Sequence, residues 1–125
     1  MNAQGPLRLF LVEDEALIAM ELEDIVGDLG HEVVGLASSV ECALQTLGEL
    51  TPDAAIVDAN LGGKLATPVV AELRRRNVPT VLASGYSRSE LSEIGFSGAM
   101  LSKPYGPEDI ERALSACLSE DRDEA

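Results

Sequence analysis

Short apolar runs that suit strands alternate along this chain with stretches whose apolar residues recur at helical spacing, and this alternation leaves few folds open. Leu7 to Val12 is such a run. It is followed by Ile18, Leu22, Ile25 and Leu29 on one helical face, closed by Gly30. His31 to Ala37 reads as a second strand, and Ser38 or Ser39 can cap a helix whose apolar positions are Val40, Ala43, Leu44 and Leu47. Pro52 ends that helix, and Ala54 to Val57 forms a third strand running into Asp58. Asn60 to Lys64, with Gly62-Gly63, reads as a loop before a third helix from about Leu65 to Arg76, with Pro68 in its first turn. Pro79 opens a fourth strand, Thr80 to Ala83, and Gly98 to Ser102 makes a fifth. Ile110, Ala113, Leu114, Cys117 and Leu118 define a last amphipathic helix. Between Ser87 and Phe96 the helical signal is weak, with Leu91 and Ile94 its only aliphatics, so a short fourth helix is expected there. Strands interleaved with helices in this way imply an α/β fold: a doubly wound, five-stranded parallel sheet of order 2-1-3-4-5 with helices on both faces.

The layer architecture is flavodoxin-like, and a chain of 125 residues fills one such domain, with a core from about residue 7 to 118 and an acidic tail over 120–125. Phe10, Tyr86, Phe96 and Tyr105 are the whole aromatic set, so the core must be aliphatic. Nine Lys and Arg against 22 Asp and Glu give a net charge of -13, which repels nucleic acid rather than binding it. The one basic cluster, Arg74-Arg75-Arg76, suits a solvated helix C-terminus. No secretory apolar region and no apolar run of about 20 residues is present, so no membrane association is expected and a reduced, cytoplasmic setting fits. Cys42 and Cys117 lack metal-ligand spacing. They are expected on apolar faces of helices that lie on opposite sides of the sheet, too far apart to pair.

Four of the five strand-like runs end beside residues that carry chemistry: Glu13-Asp14, Asp58, Ser84-Gly85 and Lys103-Pro104. In open α/β sheets, ligands bind outside the carboxyl ends of the strands. Singly, each residue has an ordinary explanation. Asp58 suits an Asx-turn, Glu13 and Asp14 a helix N-terminus, Ser84 a cap and Lys103 a solvated surface. Together they say more, because strands one and three are neighbours in the expected order and three carboxylates converge. At roughly 4 Å and an effective dielectric near 20, each close pair costs about 4 kcal/mol. A divalent cation relieves that cost. Oxygen-only ligands with open positions suit Mg²⁺, and the lack of His and Cys argues against zinc. Ser84 and Lys103 bring a hydroxyl and an ammonium to the same pocket, useful for holding a phosphoryl group and neutralising its developing charge. Gly85 would let a backbone N–H approach closely, and Lys103-Pro104 is a candidate cis bond. His31, beside the Gly30 turn and far from that edge, is expected to be structural. Gly62-Gly63 has no following GK[ST] and reads as a flexible connection.

LVEDE at 11–15, IVDANLGG at 56–63, PTVLASGYS at 79–87 and LSKPY at 101–105 resemble, in order and spacing, a response-regulator receiver domain of bacterial two-component signalling. The resemblance runs from about Leu7 to Leu118. It implies Asp58 as phospho-acceptor and Glu13 and Asp14 as the acidic pair serving Mg²⁺. It further implies Asn60 as giving a backbone carbonyl to the ion, Ser84 as hydrogen-bonding the phosphoryl group and Lys103 as pairing with it. The stretch Ala83-Ser84-Gly85-Tyr86 is similar to the FATGUY receivers, often stand-alone regulators that work with histidine kinases of the HWE type, although Leu82 replaces Phe and Ser84 replaces Thr. Where many receivers carry a switching aromatic this chain has Met100, and Leu61-Gly62 replaces the usual Met-Pro. With the weak helical signal, these departures point to output through ordering around Tyr86 to Gly95.

The function the resemblance implies is acceptance of a phosphoryl group on Asp58 from a histidine kinase or phosphotransfer protein, followed by phosphorylation-dependent binding to a downstream protein. Such a protein is a signalling component and not a multiple-turnover enzyme. The alternative is an aspartate-nucleophile phosphohydrolase of the haloacid-dehalogenase type. That family resembles DxD after the first strand, whereas here the acceptor follows the third and Asn60 stands in place of the second Asp. A flavin-binding module shares the layers, but Glu13-Asp14-Glu15 would repel its phosphate. Nothing after Leu118 is long enough for an output domain, so a stand-alone regulator is expected.

Overall fold

Among the described residues every apolar run named above becomes a strand, and the middle one is buried on both faces. The computed structural model describes residues 5–85 and 99–123. In chain order the strands of the main sheet are β1 (Arg8–Val12), β2 (Glu32–Ala37), β3 (Ala54–Asp58), β6 (Thr80–Ser84) and β7 (Ala99–Ser102). Their order is β2-β1-β3-β6-β7 and every pairing is parallel. Counted within that sheet alone this is the order 2-1-3-4-5 that strand–helix alternation implies. β3 is buried at each of its positions, as a central parallel strand must be.

Side-chain alternation along the strands divides the interior into two cores. Leu9, Leu11, Ile56, Val81 and Leu101 pack against helix α1 (Ala16–Asp28) and helix α4 (Pro107–Asp123). Phe10, Val12, Ala55, Val57 and Leu82 point the other way, against α2 (Val40–Leu47) and α3 (Thr67–Arg75). Gly35 on β2 is opposite Phe10, and a Cβ there would lie 3.0 Å from the Phe10 ring and 2.5 Å from Leu50. The glycine therefore makes room for a ring buried to 0% exposure.

Three local expectations need correction. The Asn60–Lys64 loop is a miniature antiparallel hairpin, β4 (Asn60–Leu61) with β5 (Lys64–Leu65), turned by Gly62 at φ 60 and Gly63 at φ 88. Two successive left-handed residues are what a two-residue type I′ hairpin requires. On α2 the buried stripe is Val40, Ala43 and Leu47, so Leu44 and Cys42, each about 100° round the helix from Ala43, are exposed. Cys117 is buried on α4, in the opposite core, as expected of the topology. The last helix also runs on into the acidic tail, to Asp123. The expectations for Tyr86, for a fourth helix between Ser87 and Phe96, and for output through that segment lie outside the described residues.

Ser39 caps α2, its Oγ accepting from the Cys42 N–H at 3.1 Å. Ser39→Ala is expected to lower the unfolding free energy by about 1 kcal/mol, read as a lower urea midpoint at unchanged slope. His31 serves the far end of the sheet, its Nδ1 accepting from the Leu7 N–H at 3.1 Å. Burial holds its pKa below the ordinary value, with Glu111 opposing. Two of the clustered arginines, Arg75 and Arg76, turn back onto Glu72 at 2.6 Å each, the solvated helix end anticipated for them. Among the described residues no helix is long and apolar enough to cross a membrane.

Candidate functional site

Parallel strands deliver their C-terminal residues to one edge, and the four chemical stretches arrive there together. Glu13 and Asp14 follow β1, Asp58 ends β3, Ser84 ends β6 and Lys103 follows β7. The adjacent strand pairs β1–β3, β3–β6 and β6–β7 keep these ends level. A cleft of about 440 Å³ opens at that edge, lined by Asp14, Asp58, Asn60, Ser84, Gly85 and Lys103, with Glu15 at its rim. Of its lining, Asp58 and Ser84 are buried and Asp14 is exposed; Glu13 is buried beside it.

Ordinary explanations of these residues separate from chemical ones in the hydrogen bonds. Asp58 Oδ1 accepts from the Asn60 N–H at 3.1 Å, so the Asx-type turn is real. Its Oδ2 is engaged elsewhere, 2.8 Å from the Lys103 ammonium. Asp14 does not cap α1: that helix has no side-chain cap, and Asp14 Oδ2 instead accepts from the Gly62 N–H at 2.9 Å. Glu13 Oε2 accepts from the Glu15 N–H at 3.1 Å, and Oε1 lies 3.7 Å from Lys103 Nζ. Ser84 is tied to β7 through its carbonyl, which accepts from the Lys103 N–H at 3.0 Å, and the Lys103-Pro104 bond is cis.

One ammonium thus faces two buried carboxylates, and the charges do not balance. Burial pushes Glu13 up to about 7; the neighbouring Asp58 charge adds to this, while the Glu15 N–H and Lys103 pull it back. Burial disfavours the charged form of Lys103. The hydrogen bond and charge of Asp58, with Glu13 behind it, outweigh that and hold Lys103 above the ordinary lysine value. Tyr105, two residues on, has its hydroxyl buried with no hydrogen-bond partner among the described residues, and burial beside Glu13 pushes it up to about 12.

One carboxylate oxygen each from Glu13, Asp14 and Asp58 lies within 4.8 Å of the others. This donor set fits a hard divalent cation such as Mg²⁺: all ligands are oxygens, three carboxylates converge, and the cleft is open to water. Every site residue named from the sequence is therefore placed at one edge. Missing from that reading were the part of Glu15 at the rim, the burial of Tyr105 beside the carboxylates, and the hairpin amide that reaches Asp14. Only the last left a signal, in the Gly62-Gly63 pair.

The response regulator receiver domain family matches residues 9–115. The chain is 29% identical over 126 residues to the transcriptional regulatory protein PdtaR of Mycobacterium tuberculosis, covering 98% of this chain and 62% of that protein. It is 30% identical over 122 residues to the phyllosphere-induced regulator PhyR of Methylorubrum extorquens, covering 94% of this chain and 46% of that one. It thus spans about half to three-fifths of the length of these two relatives. Among solved structures, SdrG from Sphingomonas melonis superposes with a TM-score of 0.79 at 38% identity, over 94% of this chain and 99% of that one. With a five-stranded parallel sheet, an acidic cleft at its C-terminal edge and a family match across nearly the whole length, the chain belongs to the response regulator receiver domains, the signalling modules of two-component systems.

Proposed function

We propose that this domain accepts a phosphoryl group on Asp58 from a phospho-histidine of a histidine kinase or phosphotransfer protein, and that the phosphorylated form binds a downstream protein. The observation that carries the reading is the Lys103 ammonium 2.8 Å from the Asp58 carboxylate, in a cleft with two further carboxylates within 4.8 Å. A carboxylate oxygen of Asp58 attacks phosphorus in line; the phosphorus–nitrogen bond to the donor imidazole breaks and an acyl phosphate forms. Glu13, Asp14, Asp58 and the backbone carbonyl of Asn60 would hold Mg²⁺, which supplies neutralisation of the phosphoryl oxygens when bound. Lys103, already beside Asp58, stays within reach of the transferred group, and the Ser84 hydroxyl donates to it from the neighbouring strand. Water later cleaves the acyl phosphate and restores the carboxylate.

The Ala83-Ser84-Gly85-Tyr86 stretch supports a FATGUY-type receiver served by an HWE-type kinase. No specific observation favours the aspartate-nucleophile phosphohydrolase. The test is intact mass after incubation with acetyl phosphate, with Mg²⁺ and with EDTA. One added phosphoryl group that requires Mg²⁺ is the expected result. No addition from acetyl phosphate, phosphoramidate or a phosphorylated kinase domain would remove the proposal.

A further inference from the structure

Each of the three cleft carboxylates is held by one backbone N–H, and one of these bonds differs in kind. Glu13 takes the N–H of Glu15 and Asp58 that of Asn60, each two residues further on. Asp14 takes that of Gly62, 48 residues away. Asp14 is also the exposed member of the three, so packing does little to fix its rotamer.

The donor sits at the tip of the β4–β5 hairpin, whose arms are two residues each. A ladder this short is not stable by itself. Within it Asn60 Oδ1 accepts from the Gly63 N–H at 2.9 Å, at its base the Ala66 N–H donates to the Ala59 carbonyl at 2.8 Å, and from outside Glu41 on α2 accepts from Lys64 Nζ at 2.9 Å. Gly62 and Gly63 both have left-handed φ, and a Cβ at either would meet nothing within 4 Å. Substitutions there act on the backbone conformation alone.

Resting on the Mg²⁺-dependent acceptor proposed above, we infer that this hairpin is a positioning element of the metal site, its Gly62 N–H aiming the Asp14 carboxylate into the cleft. The bond engages one oxygen and leaves the second for an ion. Carboxylates that ligate metals are themselves held by hydrogen bonds, and loss of such a partner weakens metal affinity about 10- to 100-fold. Binding linkage is reciprocal, so an ion on Asp14 is felt at Gly62, Gly63 and Lys64, although none of the three offers it a ligand.

The test is a Mg²⁺ titration of the isotope-labelled full chain followed by amide resonances, with Gly62→Asn and Gly62→Val beside it. Asn tolerates the left-handed conformation and a β-branched residue does not. Gly62→Asn is expected to bind Mg²⁺ within about twofold of the parent and Gly62→Val about tenfold more weakly. In the parent, the amides of residues 62–64 are expected to shift in step with the ligand residues. Equal affinity in Gly62→Val, or silence of those three amides in a parent that binds Mg²⁺, would overturn the inference. Should Gly62→Val fail to fold, the parent amides decide alone. A parent that binds no Mg²⁺ at all would instead remove the metal reading, and this inference with it.

Discussion

Asp58→Asn is expected to gain no phosphoryl group under conditions that fully modify the parent chain, while keeping its fold. The loss is total because an amide oxygen is a poor nucleophile and no other group is placed to replace it. Asp14 is exposed and turned onto the Gly62 N–H, and burial pushes Glu13 up to about 7, which leaves much of it protonated at neutral pH. Asparagine keeps the side-chain shape, and its oxygen still accepts from the Asn60 N–H that now bonds Asp58 Oδ1 at 3.1 Å. What disappears is the 2.8 Å contact to Lys103, whose ammonium retains Glu13 at 3.7 Å. Removing one of three crowded carboxylates also relieves repulsion, so the variant should unfold at a similar or higher urea concentration. Intact mass and a urea titration together check both halves. A phosphorylated Asp58→Asn would move the acceptor elsewhere, and an unfolded one would make the loss uninformative about chemistry.

Glu13→Gln should stabilise the metal-free domain at pH 8 and weaken its hold on Mg²⁺. The carboxyl rises from 4.5 to about 7 on folding, chiefly through burial. Between those values the folded chain binds the extra proton, so stability falls as pH rises through the window. The full penalty is present above about pH 7 and absent below about 4.5. One pKa unit corresponds to about 1.4 kcal/mol, and allowing for water that enters the open cleft the penalty is about 2 kcal/mol. Glutamine removes the charge but still accepts from Glu15, so the gain in urea midpoint should be clear at pH 8 with EDTA and nearly gone at pH 4.5. An ion must find Glu13 deprotonated, so parent Mg²⁺ affinity should fall below pH 7 by at most about tenfold per pH unit. A Glu13→Gln chain less stable than its parent at pH 8 would refute the account.

These expectations draw on two kinds of information, and only one was visible in the sequence. The strand ends were legible because parallel strands buried on both faces must be apolar runs, and the residue after such a run is where chemistry can be exposed. Asp58 after Ala54–Val57 and Lys103 after Leu101-Ser102 follow that logic. Sheet order was legible because strands in strict alternation with helices suit the common doubly wound order. The unequal burial of Glu13 and Asp14 was not, since adjacent residues of the same charge differ only by which way the chain turns after β1. The Asp14–Gly62 bond was invisible for a similar reason, as it joins two loops 48 residues apart. Gly62-Gly63 did carry a hairpin signal, but arms of two residues are too short for alternation to declare a strand. The misplaced Cys42 and Leu44 reflect an apolar stripe drawn too broadly on an eight-residue helix that buries only Val40, Ala43 and Leu47.

The ammonium that neutralises Asp58 comes from 45 residues further along the chain, after the edge strand β7. During synthesis, β1, β2 and β3 emerge first and can pair around an acceptor carboxylate that has no cation beside it. β7 is the last strand of the sheet in chain order. On the proposed function, competence to receive a phosphoryl group therefore requires β7 docked against β6, with Lys103 in the cleft. A nascent chain, or a folded one whose edge strand has opened, presents the aspartate without the means to hold what it would accept. The same strand closes the sheet and completes the site.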